Sequence, residues 1–314
     1  MDKKLLSIKN LKKNFLIQNK ILKAVDDVSF DIIKGKTFAI VGESGCGKSS
    51  IANMIANLIK PTSGQILFEN RSIFKNDNEL KKNIQMIFQD PYLSLNPKMK
   101  ISEIILEPIK IHKKFKKEKE LNLLTSLLNQ VNLSSTIAKR YPHELSGGQR
   151  QRIAIARSIA LNPKFIICDE PLSSLDISTS SQIISLLKNL QQNLNLSYLF
   201  ISHNLAVVKY ISQNAAVMYL GKFLELAPSS KLFLNPLHPY TQALISASFS
   251  FKKKNNDKVI LKNEIPSPLN PPKGCLFSTR CPYAKNECFE IRPALKEVEK
   301  DHQVACHLVK TPSN

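Results

Sequence analysis

Residues 21–33, ILKAVDDVSFDII, alternate loosely between apolar and polar positions, the period of a strand with one exposed face. FAIV at 38–41 is a short continuous apolar run, which predicts a strand buried on both faces. From Ser49 the period changes: Ile51, Met54, Ile55, Leu58 and Ile59 form a single apolar stripe at helical spacing, predicting a helix that stops before Pro61. Further apolar runs at 85–88, 165–168, 198–201 and 215–220 are separated by amphipathic stretches such as SQIISLLKNL. This is the rhythm of an α/β sheet. Between Pro97 and Pro163 almost every segment reads as amphipathic helix, as in a helical subdomain inserted into the α/β core. After about Ser250 the chain turns basic and then proline-rich, with Pro266, Pro268, Pro271 and Pro272 predicting an extended linker. No run of 18 apolar residues occurs, so no membrane span is expected.

Length and composition sharpen this picture. At 314 residues, 43% hydrophobic and 22% charged, the chain has the composition of one large globular domain with an appendage. The net charge of +20 points at first to nucleic acid or an anionic surface. The kind of cation weakens that reading. Only seven of the 45 basic residues are arginine (positions 71, 140, 150, 152, 157, 280 and 292), whereas base-edge recognition favours the guanidinium fork. Lysine runs such as Lys113–Lys119 and Lys252–Lys254 read as solvated faces, so no nucleic-acid partner is expected. No apolar leader follows MDKKLL, which predicts a cytoplasmic chain.

Only nine glycines are present, and five of them stand in two short clusters. The first cluster, GESGCGKS, comprises Gly42, Glu43, Ser44, Gly45, Cys46, Gly47, Lys48 and Ser49, with Ser50 following. It matches G-x-x-x-x-G-K-[ST] between an expected strand and an expected helix, the context a phosphate-binding loop requires. Its backbone N–H groups and helix dipole suit an anion, Lys48 suits the β and γ phosphates, and Ser49 suits Mg²⁺. FIICDE ends an expected buried strand in Asp169 and Glu170, a pair suited to holding Mg²⁺ and polarising an attacking water. The second cluster, LSGGQRQR, places Ser146, Gly147, Gly148 and Gln149 at an expected helix start, which suits either a phosphate or a plain capped helix. It reads as half of a site awaiting a partner.

LSGGQ between these two motifs resembles the signature of the ATP-binding cassette (ABC) ATPases. Gln89 in QMIFQD resembles the Q-loop that touches Mg²⁺, SSLD at 173–176 the D-loop, and His203 in FISHNL the switch histidine. Phe15 is a candidate for stacking on adenine, with core packing as the alternative. FQDPYLSLNPKM at 88–99, RYPHELSGGQRQRIAIARS and NPLHPYTQAL at 235–244 are similar to the oligopeptide and dipeptide permease ATPases. Departures from that pattern are mild: Ser50, Leu172 and Ser174 replace the commoner Thr, Val and Ala.

The resemblance implies an ABC nucleotide-binding domain over 1–250, with a RecA-like core, an antiparallel β subdomain and a helical subdomain at about 97–163. Residues 251–314 are then a C-terminal extension. It further implies ATP and Mg²⁺ (through Ser49, Gln89 and Asp169), and hydrolysis carried by Glu170, His203, Lys48 and Gln89. The implied partners are a homologous second ATPase, two integral membrane subunits and a substrate-binding protein, at the cytoplasmic face of the inner membrane. Peptides are the implied cargo; a nickel chelate, or a soluble ABC ATPase acting on nucleic acid or the ribosome, is the alternative.

Cys275, Cys281, Cys288 and Cys306 crowd the end of the chain with five, six and seventeen residues between them. The spacing fits neither a common zinc pattern nor the clustered ferredoxin run, yet four thiols in a reducing compartment favour a metal over disulfides. The family resemblance implies a [4Fe-4S] cluster here; zinc and unliganded thiols remain open.

Overall fold

The computed structural model describes residues 3–75, 77–112, 117–249 and 264–309. Lys252–Lys254 and the start of the lysine run at 113 lie outside these residues. In chain order the strands are β1 (Lys4–Ile17), β2 (Lys20–Ile33), β3 (Thr37–Val41), β4 (Ser63–Phe68), β5 (Arg71–Ser72), β6 (Ile84–Ile87), β7 (Phe165–Asp169), β8 (Ser197–Ser202), β9 (Asn214–Tyr219), β10 (Lys222–Pro228), β11 (Lys296–Glu299) and β12 (His302–Val304). The helices are α1 (Lys48–Ile55), α2 (Asn78–Asn83), α3 (Pro91–Ser94), α4 (Ile101–His112), α5 (Lys117–Gln130), α6 (Gly147–Ile159), α7 (Ile177–Leu194), α8 (Leu205–Ile211), α9 (Ser229–Leu234), α10 (Pro239–Phe249) and α11 (Asn286–Glu290). They form two compact units: Met1–Phe74 with Phe200–Asn314, and Lys75–Leu199.

In the first unit β2-β1-β4-β5 make an antiparallel sheet. The expected alternation in β2 is present but changes phase, with Val25, Val28, Phe30 and Ile32 buried. Asp27 takes a left-handed turn (φ 64°) between the first two, a bulge that returns the apolar side chains to the core. Beside this sheet, β11-β12-β10-β9-β3 lie in that order, with β3 parallel to β9 and the other pairs antiparallel. β3 is buried throughout, as a continuous apolar run requires. α1 stops at Ile55, short of the expected end before Pro61. Asn57 turns left-handed (φ 57°), the N–H groups of Leu58 and Ile59 donate back to the Asn53 carbonyl, and Leu58 is left exposed.

In the second unit β6 runs parallel to its neighbour β7. The described residues between 97 and 163 are helices and turns, as expected, with no strand among them. The Arg157 guanidinium joins α6 to α4 through Glu107 (2.8 Å) and to the end of α3 through the Ser94 carbonyl (3.1 Å). No described helix is long and apolar enough to cross a membrane.

The C-terminal strand β12 is held to β10 by more than its ladder. Glu225, fully buried on β10, accepts from the backbone N–H groups of Leu237 (2.8 Å) and His238 (3.0 Å) and from His302 Nε2 on β12 (2.8 Å). The His238 Nδ1 accepts from the Tyr240 N–H (3.0 Å), so that ring carries its proton on Nε2. Burial pushes His238 down to about 4, against the attraction of the Glu225 carboxylate. The unfolded chain therefore binds a proton between about pH 6.5 and 4 that the folded chain does not, and stability falls as pH drops through that window. We expect this one residue to account for a loss of about 3 kcal/mol across it. His238→Asn keeps an acceptor for Tyr240 but cannot titrate; urea denaturation at pH 6.5 and pH 4 should show the smaller acid loss in the variant, and equal losses would refute the assignment.

Candidate active site

The loop between β3 and α1 is shaped by the absence of side chains at two positions. A Cβ on Gly42 would stand 2.2 Å from the Met218 carbonyl oxygen on β9, and one on Gly47 (φ 109°) would stand 2.1 Å from the Ala24 carbonyl on β2. Neither backbone atom can yield cheaply, so the loop presses onto both strands. Gly45 needs glycine only for its positive φ of 76°, since open space surrounds it. Ser44, Gly45 and Ser49 are exposed, Ser50 is half-buried and Cys46 is buried. Burial raises the Cys46 thiol more than the nearby Lys48 lowers it, which makes it a packing group beneath the loop. Lys48 is 4% exposed, and its ammonium donates to the carbonyls of Gly42 (2.8 Å) and Glu43 (3.0 Å). A loop with this curvature at a helix N-terminus is built for phosphate oxygens.

Glu43 departs from the expected picture. Its N–H donates to the Tyr240 hydroxyl (3.2 Å), while its carboxylate receives a two-pronged contact from Arg280 (2.7 and 3.0 Å). Sequence reasoning missed both partners, which lie 197 and 237 residues away. Also in this unit, Phe15 sits on β1 opposite Leu22, 36% exposed, with the Lys13 ammonium 4.9 Å from its ring centre. It is therefore not a core residue. His203 is exposed in the turn after β8, just before Asn204, whose side chain caps α8 through the N–H groups of Ala206 and Val207.

In the second unit β7 ends in buried Asp169, and Glu170 follows in a left-handed conformation (φ 45°) uncommon for a residue with a side chain. Gln89 Nε2 donates to Glu170 Oε2 (3.4 Å), and Ser173 Oγ donates to the Gln89 carbonyl (3.4 Å). Three residues found in separate motifs thus meet at one strand end. Ser146 caps α6 and forms a reciprocal pair with Gln149: its Oγ accepts from the Gln149 N–H (3.3 Å) and its own N–H donates to Gln149 Oε1 (3.0 Å). The cap uses the hydroxyl as an acceptor and leaves its O–H to donate to an anion. Gly147 has only ordinary contact with Leu175, whereas a Cβ on Gly148 would stand 2.6 Å from the Thr179 methyl on α7. Thr179 is itself fixed, donating from N (2.8 Å) and Oγ1 (2.7 Å) to the Asp176 cap. Those bonds hold the Asp176 carboxyl below its usual range. One reason for Gly148 is thus helix packing, invisible to a motif.

The expected metal site at the C-terminal cysteines is overturned. Among the described residues no group of three or more His, Cys, Asp or Glu side chains is placed to hold a metal ion, and all six cysteines are free thiols. The iron–sulfur assignment is therefore withdrawn, and zinc with it. Burial pushes the Cys275 thiol up to about 11 and raises Cys281 and Cys306 as well. Backbone contact helps to close this segment: the Cys275 N–H donates to the Cys288 carbonyl (2.8 Å), and a Cβ on Gly274 would stand 2.4 Å from that same oxygen.

Comparison with known proteins agrees with this geometry. The family model for ABC transporters matches residues 25–173, and that for the oligopeptide/dipeptide transporter C-terminal region matches 224–288. The oligopeptide transport ATP-binding protein AppF of Bacillus subtilis is 50% identical, with 97% of each chain covered. The putative oligopeptide transport ATP-binding protein YkfD of the same organism is 48% identical over 98% of this chain and 96% of its own length. Among solved structures, the ATP-binding cassette MJ0796 bound to ADP and Pi superposes with a TM-score of 0.66 at 29% identity, covering 72% of this chain and 99% of that one. CbiO1 of Clostridium perfringens, part of the complex cbiONQ, gives 0.66 at 26% identity, covering 75% and 92%.

Gly148→Ala pits helix propensity, which favours alanine by about 1 kcal/mol, against the Thr179 methyl, whose displacement costs about 1–3 kcal/mol. We expect net destabilisation by urea denaturation, relieved by adding Thr179→Ser, which removes the methyl and keeps the hydroxyl for Asp176. A single variant as stable as the parent would show that Thr179 moves aside freely.

Proposed function

Because the chain belongs to the ABC transporter ATPases, we propose that it hydrolyses ATP as the energy-supplying subunit of a peptide importer. The observation that carries this reading is the phosphate loop, whose backbone curvature admits no side chain at Gly42 or Gly47. The permease-type C-terminal region at 224–288 and the naming of the relatives supply the peptide cargo. Residues 1–250 form the ATPase domain and 251–314 its C-terminal extension. The chain works against two membrane-embedded permease subunits, fed by a substrate-binding protein, and so resides peripherally at the cytoplasmic face of the membrane. Its ATPase partner is a homologous second subunit.

In this reading the loop amides and Lys48 hold the β and γ phosphates, and Phe15 stacks on the adenine. Mg²⁺ fits the hard oxygen donors of Ser49, Gln89 and Asp169, and when bound it draws charge from the γ-phosphate oxygens. Glu170 accepts a proton from the attacking water and aims it in line, its backbone held at φ 45° and its carboxylate by Gln89. His203 donates to the γ-phosphate. Ser146, Gly147, Gly148 and Gln149 serve the nucleotide of the opposed subunit, with the Ser146 O–H as a donor.

Replacing Glu170 by Gln removes the proton acceptor and keeps the shape. We expect phosphate release by the assembled importer to fall by about 10²–10⁴-fold with ATP still bound. Near-parental turnover would remove Glu170 from this role.

A further inference from the structure

Arg280 stands in the cysteine-containing segment, between Cys275 and Cys281, and its side chain is 6% exposed. Its Nη1 donates to Glu43 Oε2 (2.7 Å) and its Nη2 to Glu43 Oε1 (3.0 Å), the fork geometry that fixes both position and plane. Nη1 also lies 3.4 Å from the Tyr219 hydroxyl, which accepts from it. The turn carrying Arg280 is wedged by Phe277, whose ring meets Tyr219 edge-on at 5.7 Å and packs on Tyr240 at 5.3 Å and His238 at 5.7 Å. Within that turn the N–H groups of Arg280 (3.0 Å) and Cys281 (2.9 Å) donate to the Phe277 carbonyl. The wedge and the guanidinium thus belong to one hydrogen-bonded turn.

Their target is the second residue of the phosphate loop. Glu43 offers its carbonyl to the Lys48 ammonium (3.0 Å), and its N–H is held by Tyr240, a ring that Phe277 also packs. A carboxylate at this position, with a quarter of its side chain exposed, would repel the phosphates of an incoming nucleotide were it not paired. We propose that Arg280 is a positioning residue for nucleotide binding, through which the C-terminal segment clamps the phosphate loop and cancels the charge of Glu43. The segment is then part of the ATP-binding apparatus.

This inference rests on the reading that the loop at 42–49 binds ATP phosphates, and the test separates the two. Binding of radiolabelled ATP with Mg²⁺ is measured on the full chain for Lys48→Ala, Arg280→Met, Arg280→Lys, Glu43→Gln and the Arg280→Met/Glu43→Gln pair, with urea midpoints for each. Lys48→Ala should abolish binding; retained binding would sink the loop reading and the clamp together. With the loop reading intact, Arg280→Met should raise Kd about tenfold at low salt and less at high salt, as an unscreened carboxylate requires. Arg280→Lys should recover part of the loss, keeping charge without the fork. Adding Glu43→Gln to Arg280→Met should restore most of the affinity, since the repelling charge is gone. A merely structural role predicts a double variant that binds no better than Arg280→Met, and that outcome, or an unchanged Kd in Arg280→Met, overturns the proposal.

Discussion

The contact of two glycines with two carbonyl groups governs the placement of everything chemical in the first unit. Gly42 lies against Met218 O on β9 and Gly47 against Ala24 O on β2, so the loop takes its curvature from strands of two different sheets. β9 can reach the loop because it runs parallel to β3, pairing Val41 with Val217. Once the loop is pinned, Lys48 has its side chain buried, and an ammonium in that position must be given oxygens. The carbonyls of Gly42 and Glu43 provide them. Glu43 is in turn fixed by Tyr240 and Arg280, so the loop's geometry is carried outward from backbone to side chain to the far end of the chain.

The second unit applies a comparable device with different parts. Glu170 stands in a left-handed conformation that its side chain disfavours, and the short reach between Gln89 and Ser173 closes around it. Ser146 and Asp176 each cap a helix, and the helices they start approach so closely at Gly148 and Thr179 that a single methyl would collide. Caps and close approach together fix where two of the motif loops begin, before any ligand arrives.

Much of this was legible from residues alone. The buried strands at 38–41 and 165–168, the loop between strand and helix, and the helical stretch after Pro97 all follow from periodicity, because strands and helices impose different spacings on apolar residues. The family follows from the order of short motifs. Three things were not legible. The apolar stripe of α1 continues to Ile59 in the sequence, but Asn57 adopts a left-handed turn that periodicity does not register. The partners of Glu43 come from chain segments some two hundred residues away, and a motif has no term for them. The four late cysteines look like a ligand set in one dimension, yet among the described residues no group of three or more His, Cys, Asp or Glu side chains is placed to hold a metal ion.

The composition that first suggested an anionic partner can be understood from what the two cations do. Lysine supplies most of the +20, and Lys4, on an exposed side chain, makes a single contact with Asp31. Arginine is rare, and at three of its seven positions a fork joins separate segments. Arg152 reaches the Val131 carbonyl and Gln182, Arg157 joins Ser94 and Glu107, and Arg292 grips the carbonyls of Pro272 and Gly274. The guanidinium presents its donors in one plane, so each of these side chains holds two acceptors at once. Arg280 belongs to the same class by its geometry and differs in what it holds, a carboxylate on the loop that must receive phosphate. A fork that elsewhere only fastens segments here also sets the charge that an incoming nucleotide meets.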